Sequence, residues 1–292
     1  MAQQIGVVGL GVMGGRIAGR LLNFGYTVFG TNRTRARAAP LVERGLVWCD
    51  TPRQVAGAAK VVISSVADDA ALEAVTTGED GILAGLRPGT VYADMSTVSP
   101  QLSQRLACRA RCLGGEMLDA PVSGSVPQAE AGELTIIVGG SESAYERVGP
   151  ILRQLGSVVR VGGNGQGLLL KLAINISLAQ QMIAFGEGVL LAERGGIDRK
   201  LAVDVMTSSA IGSPLLRGRA HLVIDPPEHA WFDIAMMQKD LVLALDTARH
   251  LGVPLPTTSA ANDLLTLART LGYERRDVAS TREMLAELAD GR

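Results

Sequence analysis

The amino-acid sequence predicts an α/β protein whose N-terminal part forms a parallel sheet and whose C-terminal part is helical. Over the first half of the chain, short and nearly continuous apolar runs alternate with segments of helical periodicity. Such runs are typical of parallel strands that are buried on both faces. After Gly167 the strand pattern ends, and helical periodicity continues to the C-terminus. We therefore expect two domains, residues 1–163 and residues 164–292.

Seven apolar runs predict the strands of the first domain, and helical patterns lie between most of them. The strands are expected at Ile5–Val8, Thr27–Gly30, Val61–Val66, Val91–Met95, Met117–Ala120, Leu134–Val138 and Val158–Val161. The helices are expected at Gly14–Phe24, Arg35–Arg44, Asp68–Thr76, Ser99–Cys112 and Ser143–Leu155. Alternation of this kind joins parallel strands by right-handed crossovers. It predicts a Rossmann-type doubly wound sheet followed by an all-α C-terminal domain.

The second domain opens with a long apolar segment, Gly165–Arg194. As one helix this segment would be about 45 Å long. Because it is apolar nearly all round, we expect it to be buried inside the domain or against a partner subunit. Polar residues interrupt it and count against a bilayer location, among them Lys171, Asn175, Gln180, Gln181 and Glu187.

Composition excludes several classes of protein. The formal net charge of −1 provides no basic surplus for nucleic acid or anionic lipid. The three cysteines, Cys49, Cys108 and Cys112, have neither metal-ligand spacing nor the even count of a secreted disulfide framework, so we expect no metal site. The N-terminus carries no secretion pattern. A cytoplasmic location is the simplest expectation.

A glycine-rich turn after the first strand indicates a dinucleotide site. Gly9 permits a tight turn, Gly11 lets the backbone approach a pyrophosphate, and Gly14 permits close packing of the helix on the sheet. The helix that follows offers free N–H groups to the phosphates. The predicted phosphate-binding turn comprises Gly9, Leu10, Gly11, Val12, Met13 and Gly14.

The end of the second strand bears on the choice of cofactor. An NAD-binding fold usually places a carboxylate here for the ribose 2′-hydroxyl, but no Asp or Glu occurs between Gly9 and Glu43. Arg33 can pair with a 2′-phosphate and stack on adenine, while Asn32 and Thr34 can add hydrogen bonds. The alternative is a solvated basic helix start. We expect NADP(H) to be preferred over NAD(H).

Two segments of the chain carry groups suited to acid–base chemistry and to binding a carboxylate. Lys171 lies in the apolar helix, with Asn175 one turn further on the same face. A buried lysine is costly unless it is paired or used, but a lysine that snorkels from a helix end explains the pattern equally well. The turn around Ser123-Gly124-Ser125 can bind a carboxylate, and an ordinary loop is its alternative.

The order and spacing of four segments resemble the β-hydroxyacid dehydrogenase family, which includes 3-hydroxyisobutyrate dehydrogenase, tartronate semialdehyde reductase and glyoxylate/succinic semialdehyde reductases. The segments are Gly9–Gly14, Asp119–Gly124 with Ala129–Gly132, Gly165–Asn175, and Lys239-Asp240 with Gly252–Pro256. They span nearly the whole chain. The resemblance implies an NAD(P)-dependent enzyme that interconverts a small β-hydroxy acid and its semialdehyde or oxo acid, assembled as a homodimer or homotetramer through the helical domain.

The resemblance also implies roles for substrate-site residues. Lys171 matches the catalytic lysine, which protonates the carbonyl oxygen in reduction and removes the hydroxyl proton in oxidation. Asn175 would orient the substrate or the lysine. Ser123 and Gly124 would hold a substrate carboxylate.

Further positions match the cofactor side of the family's site. Lys239 matches a residue that faces the cofactor, and Thr97 matches one beside the nicotinamide ribose. Val66 and Ala67 end a strand and should line the cofactor crevice, where ligands bind in such sheets.

Departures from the family pattern fall in the substrate pocket. Ser125 follows Gly124 where a second glycine is common, and Ile174 replaces the first of two asparagines. Two alternatives to a hydroxyacid dehydrogenase stay open. One is an imine reductase of the same architecture, which usually lacks the lysine at this position; the other is a non-catalytic nucleotide-binding module.

Overall fold

A computed structural model describes residues 3–291, in which nine strands form one mixed sheet. The strands are β1 (Gln4–Val8), β2 (Thr27–Thr31), β3 (Val47–Trp48), β4 (Val61–Ser64), β5 (Val91–Asp94), β6 (Glu116–Asp119), β7 (Val122–Ser123), β8 (Leu134–Gly139) and β9 (Gly156–Gly162). Their order across the sheet is β3-β2-β1-β4-β5-β6-β8-β7, and β9 pairs with β8.

Helices connect the strands and form the C-terminal part of the chain. In the first part they are α1 (Val12–Asn23), α2 (Ala39–Glu43), α3 (Pro52–Ala58), α4 (Asp69–Thr76), α5 (Ile82–Gly85), α6 (Pro100–Cys112), α7 (Val126–Ala131) and α8 (Glu142–Leu152). The later helices are α9 (Gln166–Arg194), α10 (Arg199–Ser208), α11 (Pro214–Ile224), α12 (Ile234–Leu251), α13 (Pro256–Thr270) and α14 (Thr281–Ala289). Short 3₁₀ turns occur at Arg35–Ala38 and Val278–Ser280.

The predicted fold class is confirmed. Strands β1 to β6 pair in parallel, so the carboxyl ends of β1, β4, β5 and β6 meet at one edge of the sheet. Beyond β6 the sheet becomes mixed, because β8 runs antiparallel to β6. The predicted strand Val61–Val66 ends at Ser64, since the Val66 N–H bonds to the Ser96 hydroxyl instead of a neighbouring strand.

Alternate residues of the central strands supply two hydrophobic layers. Ile63 and Ala93 pack in one buried cluster, whereas their neighbours Val62 and Tyr92 pack in another. Both faces of the sheet are therefore covered by helices. This explains why the strands read as continuous apolar runs rather than as an alternating pattern.

The chain divides into two compact units, residues 1–171 and residues 172–292. The division falls inside α9 rather than at the expected boundary between residues 163 and 164. The first turn of α9 belongs to the first unit because the Gly165 and Leu168 N–H groups bond to Asp119 at the end of β6.

In the second unit, the later turns of α9 supply much of the core. Ala179, Met182, Phe185 and Val189 are buried with residues of α10 to α14. By length and composition alone, α9 is apolar enough to cross a membrane. A core helix passes the same test, but only 39% of the apolar stretch of α9 is buried, and Leu169, Leu170 and Leu191 are exposed. The expected burial of this helix is therefore met only in part within residues 3–291.

A buried ion pair organises the second unit. Arg219 donates to Asp277 at 3.0 Å, and Asp277 also accepts the backbone N–H groups of Trp231 and Phe232 just before α12. Asp277 is fully buried and Arg219 is 8% exposed at the side chain. The pair therefore fixes the chain segment that leads into α12.

Asp277→Asn should lower the free energy of unfolding by about 3–5 kcal/mol, because it leaves the buried Arg219 guanidinium without a counter-charge. Urea denaturation measures the change. Asp290→Asn removes the partner of Arg194 in a largely exposed pair and should cost less than about 1 kcal/mol. Equal losses in the two variants would contradict this account.

Candidate active site

The glycine-rich turn after β1 is built to leave one side of the backbone open. A Cβ on Gly9, which has φ +88°, would lie 2.3 Å from the Ser65 carbonyl oxygen. A Cβ on Gly14 would lie 1.9 Å from the Gly9 carbonyl oxygen. At Gly11 a Cβ would meet nothing within 4 Å, and no side chain caps α1 there. The space beside Gly11 is therefore open at a helix start that has no side-chain cap, as a phosphate site requires.

Asn32 fastens this turn to the end of β2. Its Oδ1 accepts the Leu10 N–H at 3.0 Å, and its Nδ2 donates to the Thr34 carbonyl at 2.9 Å. The sequence predicts that Asn32 adds hydrogen bonds to the cofactor, and in the structure its amide bonds to the protein backbone. The positions of Leu10 and Thr34 thus depend on the same side chain.

Exposed positive charge follows β2. The side chains of Arg33 and Thr34 are exposed, as a residue that reads a cofactor phosphate must be. Arg35 differs, because its guanidinium carbon lies 5.3 Å from the centre of the Trp48 ring. Arg33 is thus the arginine nearest the end of the strand, and Arg35 is engaged by an aromatic ring.

A hydrogen-bond chain shapes the ends of β4 and β5. The Val66 N–H donates to Ser96 Oγ at 2.9 Å, and that hydroxyl donates to Asp94 Oδ1 at 2.7 Å. Asp94 and Ser96 are buried, while Val66 and Thr97 are partly exposed and Ala67 is exposed. Sequence patterns did not identify Asp94 or Ser96. Asp94 accepts a hydrogen bond from Ser64, and Ser96 accepts one from Val66, each 30 positions away in the chain.

The end of β6 anchors the start of α9. Asp119, which is fully buried, accepts the Gly165 N–H at 2.7 Å and the Leu168 N–H at 3.0 Å. Burial raises the pKa of this carboxyl from 3.8 to about 6; the backbone hydrogen bonds oppose the rise and the charge of Asp94 adds to it. Lys171 follows on the same helix and is only 8% exposed. The glycine turn and the segment that carries Lys171 therefore both lie at the carboxyl edge of the sheet, with β4 and β5 between them.

The candidate carboxylate-binding turn is rigidly held. Ser123 pairs with Thr135 at the end of β7, and Gly124 has φ +126°, a conformation that favours glycine. Ser125 begins α7 with a capping box, in which its N–H donates to Gln128 Oε1 at 2.9 Å. Ser123 is partly exposed and Gly124 is exposed.

In the second unit, Asp240 joins two residues that the sequence singled out separately. Asn175, 1% exposed, donates from Nδ2 to Asp240 Oδ2 at 2.5 Å. Lys239 Nζ lies 2.9 Å from Asp240 Oδ1. Within residues 3–291, Asn175 Oδ1 accepts no hydrogen bond. The sequence pattern had identified Asp240 only as the neighbour of Lys239, since this bond spans 65 positions of the chain.

Lys171 and Asn175 are one turn apart on α9, so both project from the same side of that helix. An ammonium can donate a proton to a developing alkoxide, and an amide oxygen beside it can accept a hydrogen bond. In residues 3–291, no group of three or more His, Cys, Asp or Glu is placed to hold a metal.

Comparison with known proteins assigns both parts of the chain. Residues 4–163 match the NAD binding domain of 6-phosphogluconate dehydrogenase. Residues 165–285 match the family model described as NAD-binding of NADP-dependent 3-hydroxyisobutyrate dehydrogenase.

Relatives match over nearly the full length. 2-(Hydroxymethyl)glutarate dehydrogenase of Eubacterium barkeri is 33% identical, over 95% of this chain and 93% of its own. 2-Hydroxy-3-oxopropionate reductase of Escherichia coli is 34% identical over 98% of each chain. The crystal structure of 3-hydroxyisobutyrate dehydrogenase from Salmonella typhimurium is 30% identical, with a TM-score of 0.88 over 97% of this chain and 99% of that one.

The fold and these matches define an oxidoreductase with NAD(P)-binding domains. The chain belongs to the β-hydroxyacid dehydrogenase family. The resemblance found in the sequence motifs is thereby confirmed.

The raised pKa of Asp119 predicts a pH-dependent contribution to stability. Because the folded protein holds this proton more tightly than the unfolded chain, the contribution is fully present below pH 3.8 and is lost as the pH rises through about 6. Asp119→Asn removes the titration. The wild-type free energy of unfolding minus that of the variant should therefore decline between these pH values and level off above them. Urea denaturation across this range checks the sign, and a difference that rises or stays flat would contradict it.

Proposed function

We propose that this protein is an NADP(H)-preferring reductase of a small semialdehyde or oxo acid, which in reverse oxidises the corresponding β-hydroxy acid. The observation that carries the proposal is the burial of Lys171, which is 8% exposed on a helix anchored at the edge of the sheet that holds the glycine turn. A buried ammonium is retained where its charge is paired or used. In this proposal, Lys171 is the general acid and base.

The residues of the glycine turn fit a dinucleotide. The space beside Gly11 is open at the start of α1, which suits a pyrophosphate, and the edge beyond Val66, Ala67 and Thr97 suits the nicotinamide half. When bound, NADPH supplies the hydride. Lys239 would face the cofactor as well.

The protein's own groups would manage the proton and the substrate. Lys171 Nζ gives its proton to the carbonyl oxygen in reduction and takes it from the hydroxyl in oxidation. Asp240 holds the Nδ2 of Asn175, so Asn175 Oδ1 is left to accept a hydrogen bond from the substrate hydroxyl or the lysine. The Ser123 hydroxyl and the Gly124 N–H would hold the substrate carboxylate.

The relatives support this substrate class. Their names specify 2-(hydroxymethyl)glutarate, 2-hydroxy-3-oxopropionate and 3-hydroxyisobutyrate. All three are small acids that carry a hydroxyl or an aldehyde group close to a carboxylate. An NADP(H) preference is supported by the exposed Arg33 and by the lack of an acidic residue between Gly9 and Glu43.

We further propose a cytoplasmic enzyme that assembles as a homodimer or homotetramer through its helical part. Apolar side chains there remain exposed, including Leu191 (77%) on α9 and Leu201 (55%) and Val205 (57%) on α10. Leu201 and Val205 share one face of their helix. Burying such a face between subunits would remove it from water.

Lys171→Ala should lower kcat by about 10²–10⁴-fold, because the proton donor of the reaction is lost. Semialdehydes, oxo acids and cyclic imines are assayed with NADPH and NADH at the nicotinamide absorbance band. NADPH binding, followed by fluorescence titration, should stay near normal. Lys60→Ala, at an exposed lysine, is the matched control and should keep full turnover. Retained activity in the Lys171 variant would refute the assignment.

Arg33→Ala should raise the KM for NADPH by about 10- to 100-fold, as expected for the loss of charge-assisted hydrogen bonds to a 2′-phosphate. The KM for NADH should change little. Steady-state kinetics with both cofactors give the two values, and the exposed Arg109→Ala serves as control. An equal rise in the KM for NADPH and for NADH would show that Arg33 does not bind the 2′-phosphate.

A further inference from the structure

Asp119 makes two hydrogen bonds to the first turn of a helix that is distant in sequence. Its Oδ1 accepts the Gly165 N–H, and its Oδ2 accepts the Leu168 N–H. Gly165 immediately precedes α9, and Leu168 is the third residue of the helix. These are the two N–H groups that a local capping box would satisfy. A carboxylate from β6 performs that task here, and its charge is favourable at a helix N-terminus.

The backbone of Gly139 and Gly167 packs closely around the Asp119 carboxylate. A Cβ on Gly139 would lie 2.5 Å from Asp119 Oδ2, and a Cβ on Gly167 would lie 2.8 Å from the same oxygen. The Gly167 Cβ would also lie 2.5 Å from the Ile137 carbonyl oxygen. The helix start is therefore seated directly against the strand backbone at this point.

A second contact fastens the same turn to the same strand. Asn164 Nδ2 donates to the Met117 carbonyl oxygen at 2.6 Å. Together with the bonds to Asp119, this contact fixes both the height and the rotation of the first turn of α9 relative to β6. Lys171 lies three residues after Leu168, so its backbone is set by the same anchor.

We propose that Asp119 is a positioning residue, which places Lys171 for proton transfer by anchoring the helix that carries it to the end of β6. The inference rests on the proposed function of Lys171. Both carboxylate oxygens of Asp119 are occupied by backbone N–H groups, so Asp119 acts through the helix and does not itself exchange a proton with substrate. A small displacement of a reacting group is enough to lower the rate by about 10²-fold.

The test compares Asp119→Asn with Asn164→Ala in the full-length protein. The Asn variant keeps the size of the side chain but replaces one acceptor oxygen by an NH₂ group that must face an N–H donor. Asn164→Ala removes the other contact and leaves Asp119 intact. Asp198→Asn is the matched control, because Asp198 caps α10 at the Leu201 N–H, 2.9 Å away, and α10 carries no candidate site residue.

Two measurements are made on each variant. Hydrogen exchange, followed by mass spectrometry on peptides covering residues 163–172, reports how firmly the helix start is held. Steady-state kinetics and NADPH titration separate kcat from binding. In Asp119→Asn, exchange of the Gly165 and Leu168 amides should accelerate, kcat should fall about 10- to 100-fold, and the Kd for NADPH should stay near normal. Asn164→Ala should likewise accelerate exchange and lower kcat, and Asp198→Asn should change neither exchange at residues 163–172 nor kcat.

Four results would overturn the inference. Unchanged exchange in Asp119→Asn would show that the anchor does not hold the helix start. Faster exchange with unchanged kcat would show that the anchor does not matter to catalysis, while the proposed function would stand. If kcat and the affinity for NADPH both fell, the substitution would have disturbed the fold as a whole, and the loss of kcat could not be assigned to the position of Lys171. If Lys171→Ala retains turnover, the proposed function itself fails and the inference falls with it.

Discussion

The proposed proton transfer depends on one ammonium group that is kept out of water. Lys171 lies in an apolar helix and is almost completely buried, a state that a protein tolerates only where the charge is paired or used. The helix that carries it is held at its N-terminus by Asp119, at the same edge of the sheet from which the glycine turn opens. The burial of the lysine and the anchoring of its helix therefore occur in the same segment, at the start of α9. The catalytic proposal follows from the two together.

Local chain properties made much of this predictable. The glycine turn depends on residues within a few positions of one another, and the expected crowding at Gly9 and Gly14 is present. The central strands are buried on both faces, so their continuous apolar runs predicted buried parallel strands. Lys171 stood out because a charged residue interrupted an apolar helix. Each of these signals lies within one segment. The fold class was predicted correctly, whereas the sequence left burial and snorkelling of Lys171 equally open.

What escaped prediction depends on contacts between distant segments. Asp119 was identified only as part of a motif, because its partners lie 46 and 49 positions away. Asp240 likewise gained its bond to Asn175 from the packing of α12 on α9. The two-residue strand β3 is too short to produce a pattern, and the antiparallel pairing of β8 with β6 has no signature in a single apolar run. Polar side chains that cap or bridge elements are thus the part that sequence patterns reveal least.

Chemical rescue determines whether Lys171 supplies and removes the proton. Turnover of Lys171→Ala is measured with NADPH and the best substrate as a small primary alkylamine is added. We expect a variant that is nearly inactive alone and that regains turnover as the amine concentration rises, because the amine fills the space of the missing side chain and restores a proton donor. A variant that turns over like the wild type without any amine would contradict that role.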